Sequence, residues 1–139
     1  MQLKVKKMSK KAQIPTKHNL NDAAFDLYAI DDLTLPTGST DIVHTGICLE
    51  IEAGFFGKIE SRSSLAKKGV FCTAGIIDSG YRGEIMIVMN NRGVEDHLIQ
   101  PGHRVAQLII HRVVKVQISE SKWLDDQSDR GGGFGSSGE

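Results

Sequence analysis

The sequence predicts an all-β domain, either a sandwich or a barrel. Short β-branched segments, alternating or continuously apolar, recur along the chain. Glycine, proline, aspartate and asparagine separate them at regular spacing, as in domains built from many short strands. Only residues 63–68 look helical, and they are long enough for one or two turns. With 139 residues, the chain corresponds to a single domain.

The strand signals can be taken in chain order. The lysine-rich start predicts a solvated edge strand, because lysine discourages edge-to-edge aggregation. From residue 125 onward the sequence is polar and then glycine-rich, so we assign residues 1–124 to a β-rich core and 125–139 to a C-terminal arm. The clearest strand segments are 47–51, 57–60, 85–89, 105–110 and 114–118.

Charge and composition exclude some functions. The chain has 17 basic and 17 acidic residues, so its net charge is zero and bulk charge will not hold a nucleic acid. No apolar run approaches the roughly 20 residues that span a bilayer, and no apolar region follows the basic start as in a secretory signal. We expect a cytoplasmic protein, or a nuclear one in a eukaryotic host. Cys48 and Cys72 are expected to be buried free thiols.

The first candidate site lies where a strand runs into the short helical stretch. Ser63 and Ser64 are favourable N-cap residues, and amides at the start of a helix can bind an anion. Arg62 adds a planar guanidinium that suits phosphate oxygens. On this motif alone, an ordinary capped turn with a surface arginine is an equal alternative.

A second candidate site spans residues 74–84, which read as strand, turn and strand. In a tight hairpin, Asp78 and Tyr81 would place a carboxylate and an aromatic face at one small cavity. Gly75 would allow close approach to the backbone. The alternative is a plain hairpin, with aspartate at a turn position and the tyrosine covering the core.

Two further polar residues interrupt apolar strands. Asp26 lies mid-strand, where a carboxylate is costly unless it is paired or near a cation. Gln107 breaks an apolar run that begins near Arg104, so its carboxamide must find a partner.

Taken together and in order, these segments resemble the five motifs of the trimeric deoxyuridine triphosphatases (dUTPases). The resemblance covers nearly the whole chain, and five motifs in order are far more specific than any one. The motifs resemble residues 24–29 (AFDLYA), 62–66 (RSSLA), 75–83 (GIIDSGYRG), 102–108 (GHRVAQL) and 130–138 (RGGGFGSSG).

The resemblance implies a jelly-roll-like subunit, a homotrimer and active sites shared between subunits, with the arm closing over each site. It also implies Mg²⁺-dependent hydrolysis of dUTP to dUMP and pyrophosphate by attack of water on the α-phosphorus. That reaction keeps uracil out of DNA and supplies dUMP for thymidylate synthesis. Partners other than dUTP and further copies of the chain, such as a nucleic acid or a membrane, are not expected.

The resemblance also implies residue roles. Asp78 would deprotonate the attacking water, with Gln107 positioning the water or a phosphate, and Tyr81 would pack under the deoxyribose to exclude a 2′-hydroxyl. Asp26 would meet the Mg²⁺ shell through water. Uracil would be read by Gly75, Ile76, Ile77 and Asp78, with Met86 beside it. The phosphates would be held by Arg62, Ser63 and Ser64, and the arm would contribute Arg130, Phe134, Gly135 and Ser136.

The chain departs from the family's pattern at several positions. Ser61 stands where proline or glycine often precedes the arginine, and Cys72 stands where asparagine is frequent. Gly80 replaces a second acid, which leaves Asp78 as the candidate base, and His103 replaces an aspartate. The arm is one residue shorter than usual between Arg130 and the phenylalanine.

Two other functions remain open at this point. A deoxycytidine triphosphate deaminase is built on a similar subunit, but its proton-carrying glutamate would correspond to Val88, which cannot move a proton. A non-catalytic binding protein that kept the trimeric shell would bind dUTP without turnover. Ammonia release from dCTP would indicate the first, and binding without hydrolysis the second.

Overall fold

The computed structural model describes residues 1–125 and confirms the all-β prediction. One short helix, α1, spans Ser63–Ala66. The strands are β1 (Lys4–Lys7), β2 (Ala24–Tyr28), β3 (Leu33–Leu35), β4 (Thr40–Glu50), β5 (Phe55–Glu60), β6 (Val70–Cys72), β7 (Ile76–Ile77), β8 (Glu84–Asn91), β9 (His97–Ile99) and β10 (Arg104–Arg112).

The strands form two four-stranded sheets and one small pair. The first sheet has the order β1-β4-β8-β6, the second β2-β10-β5-β7, and β3 pairs with β9. Every pairing is antiparallel. The lysine-bearing β1 is an edge strand, as its composition predicted.

The inner faces of the two large sheets share one hydrophobic core. Alternate residues of β8, such as Ile85 and Ile87, point into it from the first sheet, and Leu27 and Leu108 point into it from the second. All four are fully buried. The residues between them on each strand therefore lie on the outer faces, since successive side chains of a strand alternate. Each sheet thus has an outer surface that is separated from the other by the whole core.

The hairpin predicted for residues 74–84 is wrong, because its two strands do not pair with each other. Ile76 and Ile77 pair with Lys58 and Gly57 of β5, in the second sheet. The return strand β8 pairs instead with β6 and β4, in the first sheet. The segment between them is an open loop that crosses from one sheet to the other.

Two smaller expectations also need correction. The alternating run at 114–118 forms no strand, because β10 ends at Arg112 and residues 113–125 pair with no described strand. Val114, Val116 and Ile118 are therefore exposed. Cys48 and Cys72 are free, as expected, but they are half-buried rather than fully buried. Within residues 1–125, no helix has the length and apolar character needed to cross a membrane.

Candidate active site

One row of polar residues crosses the outer face of the second sheet. Gln107 of β10 lies opposite Asp26 of β2 on one side and Glu60 of β5 on the other. Cross-strand partners project to the same face of a sheet. The pairing therefore brings Asp26 and Gln107, which are 81 positions apart in sequence, to one surface.

Asp26 holds two arginines at that surface. Arg62 Nε donates to Asp26 Oδ1 at 2.9 Å, and Arg104 Nη1 donates to Asp26 Oδ2 at 3.4 Å. The Asp26 side chain is only 17% exposed, so the two guanidinium groups compensate a largely desolvated carboxylate. This confirms the expectation that a mid-strand aspartate needs a cation. Each guanidinium has further N–H donors that can face an anion.

The short helix begins differently from the prediction. Its N-cap is Arg62, in extended conformation at φ −81° and ψ 133°, and no side chain caps the first turn. Ser63 and Ser64 are therefore helical residues rather than caps. Both are exposed and line the cavity described next.

A cavity of about 410 Å³ collects these groups. Its wall includes two arginines, two serine hydroxyls and a carboxamide, which are donors suited to a polyphosphate, together with two carboxylates. We call it the phosphate cavity. Its lining residues are His18, Asp22, Ala23, Ala24, Asp26, Arg62, Ser63, Ser64, Arg104, Gln107 and Ile109.

A second, smaller cavity of about 280 Å³ lies against the outer face of the first sheet. It brings Asp78 and Tyr81 together, as the sequence predicted, and Met86 and Val88 form its floor on β8. Most of the other lining side chains are apolar. We call it the base cavity, and its lining residues are Ile42, Ile76, Ile77, Asp78, Tyr81, Glu84, Met86 and Val88.

Tyr81 is held by its own loop. Its hydroxyl donates to the Glu84 carbonyl at 2.9 Å, and its backbone N–H donates to the Asp78 carbonyl at 3.0 Å. A Cβ added at Gly83 would come within 2.5 Å of the Tyr81 hydroxyl oxygen. Glycine at position 83 therefore leaves the room in which the ring lies.

Gly75 does not line the base cavity in this chain. Its carbonyl accepts a hydrogen bond from the Ile59 N–H at 3.0 Å, and a Cβ at this position would meet Ile59 at an ordinary 3.5 Å. The unusual backbone lies one residue earlier, because Ala74 has a positive φ of 63°. Side-chain-bearing residues adopt this conformation rarely and at some cost, and such positions cluster at functional sites.

The two cavities share no lining residue. The phosphate cavity lies on the outer face of β2 and β10 in the second sheet, whereas the base cavity lies between the outer face of β4 and β8 in the first sheet and the segment from β7 to Tyr81. One chain thus presents the two halves of the predicted site as separate cavities. The four arm residues Arg130, Phe134, Gly135 and Ser136 lie outside the described residues.

Comparison with known proteins decides the family. Residues 10–138 match the dUTPase family profile. The chain belongs to the dUTPase family. The deoxyuridine 5′-triphosphate nucleotidohydrolase of Clostridioides difficile is 40% identical to this dUTPase family member over 98% of this chain and 97% of its own length.

Solved dUTPase structures share the fold. A Staphylococcus bacteriophage 80alpha dUTPase variant, solved with dUpNHpp, is 26% identical and superposes with a TM-score of 0.87 over 99% of this chain and 98% of its own. A phage phi11 dUTPase variant, described with a structural Mg(II) ion, is 21% identical with a TM-score of 0.81 over 88% of this chain and 98% of its own. At 21% identity, the similarity to the phage phi11 structure shows a shared fold and nothing more.

The residues present fit a Mg²⁺ that arrives with the substrate. Among residues 1–125, no group of three or more His, Cys, Asp and Glu side chains could hold a metal ion by itself. Mg²⁺ commonly uses one or two carboxylates together with waters and substrate phosphates. Two carboxylates, Asp22 and Asp26, line the phosphate cavity, and both oxygens of Asp26 accept hydrogen bonds from arginines, which leaves it contact with a metal through water.

Sequence reasoning missed several residues of this dUTPase site. Arg104 was noted near a strand start, but its ion pair with Asp26 was not foreseen. Ile42 lines the base cavity because β4 places it opposite Val88. Glu84 was also missed, although its carboxylate bonds His44 Nδ1 at 3.0 Å and the Gly46 N–H at 2.8 Å. The pairing of β4 with β8 reveals Ile42 and Glu84, and the pairing of β10 with β2 reveals the contact of Arg104.

Proposed function

We propose that this chain hydrolyses dUTP to dUMP and pyrophosphate in active sites shared between copies of the chain. The observation that carries the proposal is the pair of cavities, one polar with two arginines and one largely apolar with a single aspartate. The activity itself is that of the family to which the chain belongs.

The phosphate cavity supplies charge and direction. The β- and γ-phosphates would be bound by two arginines and two serine hydroxyls. Arg62 and Arg104 are both hydrogen-bonded to Asp26, and the hydroxyls are those of Ser63 and Ser64. Phosphoryl transfer requires little covalent chemistry from the protein, so positioning and neutralisation of charge provide most of the acceleration. Arginine suits this role because its planar donors match phosphate oxygens.

The base cavity would activate the attacking water and select the base and the sugar of the nucleotide. Asp78 would accept a proton from water as the water oxygen forms its bond to the α-phosphorus, and the bond from that phosphorus to the bridging oxygen of pyrophosphate breaks. Tyr81 would lie under the deoxyribose, where a 2′-hydroxyl has no room. Ile76, Ile77 and Met86 would surround the uracil ring, with Gly75 contributing through its backbone.

Mg²⁺ is the cofactor of the reaction. When bound to the triphosphate it neutralises the charge that develops on the phosphate oxygens. Asp26 would contact its water shell. Gln107 would position the water or a phosphate. The arm would cover the bound nucleotide, with Arg130 at the terminal phosphate and Phe134 over the uracil. Gly135 and Ser136 would lie beside Phe134.

The placement of the two cavities supports sites shared between copies of the chain, as in the homotrimer that the family resemblance implies. The phosphate-binding groups and Asp78 must act on one triphosphate, yet in one chain they line two separate cavities that share no residue. A phosphate cavity of one copy facing the base cavity of another resolves this separation. The base cavity also has exposed apolar walls suited to cover by a second surface, including Ile42, Ile76 and Met86.

Mixing two inactive variants tests the shared site directly. Arg62→Ala and Asp78→Asn each damage one cavity, so each protein alone is expected to lose most dUTP hydrolysis. In mixed oligomers, the intact Arg62 of one chain faces the intact Asp78 of the other, and a fraction of sites regains full activity. Pyrophosphate release from the separate and the co-refolded proteins provides the measurement. No recovery on mixing, with mixed oligomers present, would contradict sharing.

The deaminase alternative has little support. The position expected to carry its glutamate is Val88, which lines the base cavity with an apolar side chain. Incubation with dCTP is expected to release no ammonia. The non-catalytic alternative predicts dUTP binding without pyrophosphate release, and the same assay on the wild-type protein decides it.

A further inference from the structure

Ser61 joins three strands beside the phosphate cavity. It lies between the end of β5 and the N-cap of α1, and it is half-buried. Its hydroxyl oxygen accepts a hydrogen bond from the Cys72 N–H of β6 at 2.8 Å. Its carbonyl oxygen accepts one from Gln107 Nε2 of β10 at 2.9 Å. One residue thus connects the phosphate-binding turn to a strand on each side.

These two bonds have different consequences. The bond to the Cys72 N–H fixes the Ser61 peptide against β6, which belongs to the other large sheet. The bond from Gln107 then fixes the Gln107 carboxamide against that peptide. A glutamine side chain has three rotatable bonds, and it points reliably in one direction only when a partner holds it.

We infer that Ser61 is a positioning residue for the proposed hydrolysis, holding Gln107 so that its remaining amide N–H and its oxygen serve the phosphate cavity. The inference rests on the proposed function of Gln107. Ser61 itself does not line the cavity, whereas Gln107 does. Its effect on the reaction therefore passes through the glutamine.

Ser61→Ala removes the hydroxyl but keeps the carbonyl. The Cys72 N–H then loses its partner, the Ser61 peptide is less firmly held, and the Gln107 carboxamide is less firmly aimed. We expect kcat for dUTP to fall about fivefold to tenfold, the range for loss of one ordinary hydrogen bond, with a change in KM of less than about twofold. Ser61→Thr keeps a hydroxyl and is expected to restore most of the rate.

A double-mutant cycle separates positioning from general weakening of the fold. Ser61→Ala is made in the wild-type protein and in the Gln107→Ala variant. If Ser61 acts through Gln107, the substitution has almost no further effect once the glutamine is absent. An equal fold-loss in both backgrounds, or no loss in the wild-type background, would overturn the inference. Ser39→Ala is the matched control, because its hydroxyl bonds the Pro36 carbonyl at 2.7 Å in an exposed turn.

A second measurement does not depend on hydrolysis. The side-chain amide signals of Gln107 in a ¹⁵N spectrum report how firmly the carboxamide is held. Ser61→Ala is expected to shift them and speed their exchange with water, while Ser39→Ala leaves them unchanged. Unchanged Gln107 signals in Ser61→Ala would overturn the inference. Absence of dUTP hydrolysis by the wild-type protein would instead refute the proposed function. The spectra would then still test whether Ser61 holds the Gln107 carboxamide.

Discussion

The phosphate cavity and the base cavity are built in different ways. The first lies on paired strands, and its charged groups are fixed to one another by bonds such as those of Asp26 to Arg62 and Arg104. The second lies between a β-sheet face and a loop, and its Tyr81 is held by the backbone carbonyls of Asp78 and Glu84. Charge that is fixed beforehand suits a triphosphate, whereas shape suits a base. The comparison teaches that the proposed site would draw on both kinds of recognition by combining two differently built surfaces.

The strongest test of this division is the loss of Asp78, the aspartate that lines the base cavity. Asp78→Asn keeps the size and the backbone of the loop but cannot accept the proton of the attacking water. We expect kcat for dUTP to fall about 10³-fold, within the range for removal of a general base, while KM changes little. Steady-state pyrophosphate release measures both.

Asp31→Asn is the matched control, because Asp31 is exposed and lines neither cavity. It is expected to retain the wild-type rate. Turnover by Asp78→Asn within tenfold of the wild type would remove Asp78 from the role of base.

A second test concerns the shape-based recognition of the sugar. Tyr81→Ala removes the ring that would exclude a 2′-hydroxyl, so the preference for dUTP over UTP is expected to fall roughly 10- to 100-fold in kcat/KM. Tyr81→Phe loses only the hydroxyl bond to the Glu84 carbonyl and should keep most of the preference. If both variants discriminate as the wild type does, sugar selection lies elsewhere.

The smallest expected effect concerns the strand that leads into the base loop. Burial raises the pKa of the Cys72 thiol from 9.0 to about 11. The unfolded thiol ionises near pH 9 while the folded one stays protonated, so this group's stabilisation is complete below pH 9 and is lost as the pH rises to about 11.

Urea unfolding of the wild type and of Cys72→Ala at several pH values from 8 to 11 measures this loss. The stability of the wild type is expected to fall more steeply than that of the variant above pH 9. Lysines and tyrosines titrate in both proteins, so the difference between the two curves isolates Cys72. Parallel curves would show that the thiol ionises as readily in the folded chain as in the unfolded one.

Local pattern sufficed for much of the fold. The apolar runs 85–89 and 105–110 lie within β8 and β10, and the lysines of β1 marked an edge. The sequence also predicted that Asp26 needs a cation nearby, because burial of an unpaired carboxylate is costly in any fold. These features depend on a few neighbouring residues or on one group's chemistry.

Pairing between distant segments could not be read in the same way. Ile76 and Ile77 join β5 rather than β8, and no local signal distinguishes these partners. Ser63 is a good cap by residue type, but Arg62 took the N-cap position with its guanidinium bonded to Asp26. Ser61 and Cys72, noted separately as departures from the family's pattern, are hydrogen-bonded to each other. Their relation appears only when β5 and β6 are placed in space.

The positive φ of Ala74 affects the conformational freedom of the segment that leads into the base cavity. A glycine there could visit many backbone conformations, whereas the alanine methyl group leaves few, and the loop is restricted before any ligand arrives. The segment that leads into the base cavity is therefore preorganised, and less conformational entropy would be lost when a ligand enters. The strain at a single alanine is retained in the free protein, where it narrows the conformations of the chain before Asp78.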